Sequence, residues 1–141
     1  LYTEAILVIG STPVAEKLES IGPLVSIPTT RYEPGADVDG SYQTCVVATQ
    51  GKEDKDSLKR ALQHTHGIVF FVASEKKALK LKEQLFTDGI GESDINRIMS
   101  PAGLDVGAET TDEIVVSILA GLVKESRKPQ SVVAEMSEQV A

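Results

Sequence analysis

Hydrophobic residues along the chain fall into short continuous runs, separated by segments with helical spacing. The clearest run is residues 5–9, Ala-Ile-Leu-Val-Ile, and shorter or interrupted apolar runs lie within residues 24–27, 42–48 and 67–72. Continuous apolar runs of this length are typical of strands buried on both faces, as in a parallel sheet. We therefore predict four strands at these positions and a short fifth strand near residues 97–99.

Between these runs, apolar residues recur at intervals of three and four, which predicts helices. The predicted helices cover residues 11–21, 54–64, 74–87 and 111–126, with a short helical turn at residues 93–98. Thr110 and Glu113 have the spacing of a capping box, which marks the start of the last helix. The alternation predicts an α/β fold, in which helices cover both faces of a Rossmann-like parallel sheet in three layers.

The predicted sheet belongs to a single domain over residues 1–126, and residues 127–141 form a tail or short helix. Residues 28–41 are rich in Pro, Gly, Thr and Asp and are predicted to be a loop. Because the third strand follows a loop without an obvious helix, we expect the strand order 3-2-1-4 of a Rossmann half.

Composition narrows the classes of function. The 141 residues carry a formal net charge of −7, which argues against a nucleic-acid binder and against binding to an anionic membrane. No apolar run is long enough to span a bilayer and no signal-peptide pattern is present, so we expect a cytoplasmic protein. The single cysteine excludes an internal disulfide and a metal cage built from cysteines.

Small, hydroxyl and basic residues follow the predicted strands. In parallel sheets ligands bind beyond the carboxyl ends of the strands, where helix N-termini favour anions. The candidates for binding a phosphate-bearing cofactor are Gly10, Ser11, Thr12, Arg31, Ser74 and Lys77. The alternative for Lys77 is an ordinary solvated helix lysine.

The pattern Gly10-x-Thr12-x-x-Ala15 differs from the dinucleotide fingerprint G-x-G-x-x-G/A. Thr12 replaces the glycine that lets the backbone approach a pyrophosphate. The acid expected about 20 residues later is also missing, and Arg31 suits a phosphate better than a ribose diol. NAD(P) binding stays an open alternative, beside a Rossmann scaffold without its usual ligand.

A segment rich in glycine precedes the last helix. Pro101 restricts the backbone, Gly103 and Gly107 permit positive φ or close approach, and Asp105 is the charge between them. Such a loop is costly to order unless it binds or packs against something. It therefore predicts either a ligand-binding loop or a tight turn before a buried helix.

The motif Pro-x-Gly-Leu-Asp-x-Gly-Ala at residues 101–108, followed by Thr-x-Glu-Ile-x-x-Ser-Ile-Leu-Ala at residues 111–120, resembles the C-terminal signature of the XdhC/CoxI family. Members of that family are accessory factors for molybdenum hydroxylases such as xanthine dehydrogenase and aerobic carbon monoxide dehydrogenase. The resemblance implies binding of the molybdenum cofactor (molybdopterin) or its nucleotide form, with Gly103, Asp105 and Gly107 at the site. It also implies delivery to a hydroxylase subunit, without catalysis by this chain.

The sequence leaves other interpretations of the site and of the function open. His64 and His66 could bind a metal, but no cysteine or carboxylate motif joins them, and exposed residues at a helix end are the simpler interpretation. No catalytic constellation is evident. The alternative functions are an NAD(P)-dependent oxidoreductase and a regulatory Rossmann module without a small ligand. A homodimer is the expected assembly.

Overall fold

A computed structural model describes residues 2–128, apart from the side chain of Lys52, and contains one five-stranded sheet in which every pairing is parallel. The strands are β1 (Ile6–Ile9), β2 (Thr29–Tyr32), β3 (Cys45–Val47), β4 (Val69–Phe71) and β5 (Ile98–Met99). Helices cover both faces of this sheet. The predicted α/β fold, a three-layer Rossmann-like single domain, is confirmed.

The strand order is β2-β1-β3-β4-β5, so the predicted order 3-2-1-4 is wrong. Strand β3 pairs with β1, with Leu7 opposite Cys45, and not with β2. The polarity of the strands explains the arrangement. Strand β2 has the sequence Thr-Thr-Arg-Tyr and is only half-buried, which suits an edge, whereas every residue of β1 is buried and needs a neighbour on each side.

The second strand also begins later than predicted. Residues Gly22–Val25 form a 3-10 helix, and Leu24 and Val25 are exposed. Ile27 is buried against the sheet, while the strand itself is Thr29–Tyr32, inside the segment predicted to be a loop. The apolar run at residues 24–27 therefore reflects the packing of Ile27 in the core, and these residues do not pair as a strand.

The helices match their predicted positions closely. They are α1 (Pro13–Ile21), α2 (Asp54–His64), α3 (Glu75–Thr87), α4 (Glu92–Ile95) and α5 (Thr111–Ser126), and a 3-10 turn (Gly51–Glu53) leads into α2. Thr12 caps α1 and Ser74 caps α3 through their side-chain oxygens. The capping box of Thr110 and Glu113 at the start of α5 is confirmed.

Alternate residues of the strands divide the core into two layers. Helices α1 and α5 cover one face, where Leu18 and Ile118 pack on Val8 and its neighbours. Helices α2 and α3 cover the other face with Leu58 and Leu85. No helix joins β2 to β3, and the buried side chain of Val38, from the connecting loop, packs into this second layer.

No helix within residues 2–128 is long and apolar enough to cross a membrane. The tail predicted at residues 127–141 lies outside the described residues, except for its first two positions.

Candidate functional site

All strand ends that could carry a ligand lie on one side of the molecule. Because the sheet is parallel throughout, the carboxyl ends of β1, β3, β4 and β5 meet at one edge, which we call the carboxyl edge. Residues 10–12 follow β1, residues 48–53 follow β3, residues 72–74 follow β4, and residues 100–110, the signature loop, follow β5. The strand order reverses between β1 and β3, where ligands bind in folds of this class.

The turn after β1 is tied to the end of β3. Gly10 has φ of +153°, and a Cβ at this position would overlap the carbonyl oxygen of Ala48. The Thr12 hydroxyl donates to that same oxygen at 2.9 Å and accepts the Ala15 N–H at 3.3 Å. Both residues therefore have structural roles that account for their identities without a ligand.

The Arg31 side chain already forms hydrogen bonds within the protein. Its guanidinium donates to the carbonyl oxygen of Gly10 at 3.0 Å and to the carboxylates of Glu19 at 3.1 Å and Glu33 at 3.0 Å. Hydrogen bonds to both carboxylates raise the pKa of the guanidinium further. A phosphate at this position would have to compete with two carboxylates.

Lys77 belongs to a polar cluster that the sequence did not reveal. Its ammonium lies 2.6 Å from Oδ2 of Asp54, whose side chain is 0% exposed. The Thr49 hydroxyl donates to the other oxygen, Oδ1, at 2.5 Å. Acidic residues in the first turn of a helix are usually solvated, but Asp54 is buried. The side chain points inward between the start of α2 and the first turn of α3.

The signature loop is anchored to α5 by backbone contacts. The N–H of Leu104 donates to the carbonyl oxygen of Ser117 at 3.0 Å. A Cβ on Gly103 would overlap that oxygen, and a Cβ on Gly121 would lie 2.7 Å from the Cα of Gly103. Two glycines are therefore needed for the loop and the helix to touch. Ser100 adds a hydrogen bond to the carbonyl oxygen of Ala73 at 2.8 Å, which holds the loop over the end of β4.

The loop borders an open cavity of about 570 Å³ between α5 and the end of β4, which we call the loop cavity. Its lining is mainly apolar, and its two ionisable side chains are Glu75 and Asp105. Among the side chains that the structure describes, neither is in an ion pair, and no Lys or Arg lines the cavity. The lining residues are Val72, Ala73, Glu75, residues 101–108, Ile114 and Ser117.

The predicted site residues fall into separate groups along the carboxyl edge. Gly103, Asp105 and Gly107 line the loop cavity together. Gly10, Ser11 and Thr12 lie at the end of β1, Ser74 caps α3, and Lys77 pairs with Asp54; none of these lines the loop cavity. The cofactor-binding roles stay predictions. The missed lining residue Glu75 had a detectable signal, because it follows the capping serine directly.

Other candidate chemistry has ordinary structural surroundings. Within residues 2–128, no three His, Cys, Asp or Glu side chains come together as a metal site would require. His64 Nδ1 lies 2.9 Å from the carbonyl oxygen of Gly40, and His66 Nδ1 lies 3.4 Å from the Ser41 hydroxyl. Burial raises the pKa of the Cys45 thiol, which therefore stays protonated and packs as a small apolar group.

Comparison with known proteins gives one relative and one family. The chain is 29% identical over 79 residues to the uncharacterized protein YqeB of Escherichia coli (strain K12). The match covers 56% of this chain but only 15% of that protein's length. The family model described as the XdhC Rossmann domain matches residues 6–122, which takes in all five strands and most of α5. The chain therefore belongs to the XdhC family and contains its Rossmann domain.

Proposed function

We propose that this chain is an accessory factor for a molybdenum hydroxylase of the xanthine or carbon monoxide dehydrogenase type. It binds the molybdenum cofactor (molybdopterin) or a related nucleotide at the carboxyl edge and aids its insertion into the hydroxylase subunit. Family membership and the loop cavity support this proposal. The observation that carries it is that the residues of the family signature form the wall of the cavity, with Gly103, Asp105 and Gly107 among them.

The residues at the carboxyl edge fit such a ligand. A volume of about 570 Å³ is in the range of small-molecule sites, and the apolar lining suits the faces of a flat heterocycle. Asp105 and Glu75 offer acceptors for ring N–H groups, while Lys77 offers a cation for an anionic group. These three residues, with the backbone of the signature loop, would hold the cofactor.

When bound, the cofactor supplies the redox-active metal centre on which the hydroxylase depends. This chain binds, orients and shields the cofactor, and transfers it unchanged to the hydroxylase subunit. That role needs no nucleophile or general base. The wall formed by Gly103 and α5 is held by backbone contacts, so it gives a fixed surface for recognition.

The test is direct binding of the cofactor. Protein purified from a molybdenum-replete host, or reconstituted with the cofactor, should release one equivalent of the fluorescent oxidised pterin per chain. Ala108 lines the loop cavity, so Ala108→Trp should abolish this yield by filling the space. Val116 is 61% exposed on α5, so Val116→Trp adds the same bulk outside the cavity and should preserve binding. Absence of pterin after reconstitution of the folded wild type would refute the proposal.

Two other functions predict different results. An NAD(P)-dependent oxidoreductase would bind NADH or NADPH at micromolar concentration, which a fluorescence-transfer titration measures. The Thr12 side chain, bonded to Ala48 in the middle of the altered fingerprint, disfavours this outcome. A regulatory Rossmann module would retain a hydroxylase subunit in a pull-down even when no cofactor is present.

A further inference from the structure

The first turn of α3 separates two different chemical environments. Glu75 lines the loop cavity, on the side of β4 and the signature loop. Lys77, two residues later, reaches the other way to Asp54 at the start of α2, beside the end of β3. The carboxyl edge therefore has acceptors on one side of this helix and a cation on the other.

The cation is held in place by buried groups. Asp54 is fully buried, and its two carboxylate oxygens contact the Thr49 hydroxyl and the Lys77 ammonium. The Lys77 side chain is 41% exposed, and its ammonium carries three N–H donors, so pairing with one carboxylate oxygen does not use all of them. A buried carboxylate thus fixes a flexible lysine at one position on the carboxyl edge.

The carboxylates of the loop cavity favour N–H donors, whereas the Lys77 ammonium favours an anion. Asp105 and Glu75 would repel a phosphate, and within the described chain no basic side chain lines the cavity to offset them. A carboxylate instead pairs well with two parallel N–H donors, as it does with arginine. The ring N–H and exocyclic amino group of a 2-amino-4-oxo-pyrimidine present the same donor pair.

We infer that the ligand lies along the carboxyl edge in one orientation, with its pterin ring in the loop cavity against Asp105 and its phosphate against Lys77. This inference rests on the proposed function and specifies which residues of the same site contact each end of the ligand. Strands β3 and β4 are neighbours in the sheet, so the two environments follow adjacent strand ends on the same carboxyl edge. A single ligand that lies across the start of α3 would contact both.

The experiment compares two probes by fluorescence titration: neopterin, which has the ring but no phosphate, and the oxidised phosphate-bearing pterin released from the cofactor. Asp105→Asn should weaken both probes at least about tenfold, the discrimination expected of a good bidentate pair. Glu109→Gln is the matched control, because Glu109 lies in the same loop outside the cavity lining. It should leave both affinities unchanged.

The phosphate end is tested with the double variant Asp54→Asn/Lys77→Met, which removes the ion pair without leaving a buried charge. It should weaken the phosphate-bearing pterin about tenfold, remove most of the salt dependence of its binding, and leave neopterin unchanged. Lys76→Met is the control, since Lys76 is exposed in the same turn and belongs to no ion pair within residues 2–128. Thermal melting of each variant confirms folding.

The results separate this inference from the proposed function. Wild-type protein that binds the cofactor, with Asp105→Asn binding equally well, overturns the orientation and leaves the function standing. Loss of neopterin binding in the double variant would reverse the orientation and equally overturn it. Neopterin bound through Asp105 by a chain that never takes up the cofactor would support the ring site and refute the function.

Discussion

Two glycines of the signature loop share a backbone conformation but differ in their surroundings. Gly103 has φ of +85° and Gly107 has φ of +71°. A Cβ on Gly103 would meet the backbone of Ser117 and Ile118, whereas a Cβ on Gly107 would meet nothing within 4 Å. The first glycine is required by close approach as well as by conformation, and the second by conformation alone.

Replacing each glycine by alanine separates these two causes. Gly107→Ala should lower the free energy of unfolding by about 1 kcal/mol, the cost of a left-handed conformation for a residue with a Cβ. Gly103→Ala should cost about 2–4 kcal/mol, because the overlap with α5 adds to the same strain. Denaturant unfolding measures both values, and equal losses would show that contact with α5 does not matter.

At the residue scale the sequence predicted more about backbone than about side-chain partners. The caps Thr12, Ser74 and Thr110 follow from local rules, because each acts on backbone atoms a few residues away. The burial of Asp54 could not be predicted in this way. Its partner Lys77 is distant in sequence and arrives only when α2 and α3 pack beside each other.

At the scale of elements, α5 shows how a local signal fixes a boundary. Thr110 accepts the N–H of Glu113, and the Glu113 carboxylate accepts the N–H groups of Glu109 and Thr110. These backbone hydrogen bonds lower the pKa of Glu113 below its ordinary value. The helix that bears the cavity wall therefore starts at a defined residue.

This capping box gives the protein a pH-dependent contribution to stability. Since the pKa is lower in the folded state, the contribution is complete above the ordinary glutamate value and is lost as pH falls through the lowered one. Glu113→Gln removes the titration, so its melting temperature should lie below that of the wild type at neutral pH and approach it in acid.

Melting curves recorded from neutral pH to about pH 3 measure that difference. Glu109→Gln is the control, because the capping box uses only the backbone N–H of Glu109. Its difference from the wild type should be small and should not follow the same pH course. A Glu113→Gln deficit that stays constant through the acid range would contradict the assignment.

At the scale of the whole molecule, the element types could be predicted but the order of strands could not. Helix bounds followed from periodicity and caps, whereas the position of β3 depends on which neighbours bury β1. The half-buried sequence Thr-Thr-Arg-Tyr of β2 was the usable signal for an edge strand. The apolar run at residues 24–27 outweighed it, because a short apolar run alone does not distinguish a strand from a 3-10 turn.

The ion pair between α2 and α3 connects elements that the sheet order brings together. Lys77→Met should lower the free energy of unfolding by about 2–4 kcal/mol, because it leaves the Asp54 carboxylate buried without its cation. The double variant Asp54→Asn/Lys77→Met should recover much of this loss, and Lys76→Met should stay within about 0.5 kcal/mol of the wild type. Chemical denaturation measures all three, and a single variant as stable as the wild type would show that water already compensates Asp54.

The contact between Gly103 and Gly121 has a consequence for how the chain could release a guest. With no side chain between the loop and the helix, a protein that binds the exposed side of α5 and shifts it would also shift the wall of the loop cavity. Under the proposed function, docking on the hydroxylase would then act directly on the bound cofactor, without a hinge or a separate lid.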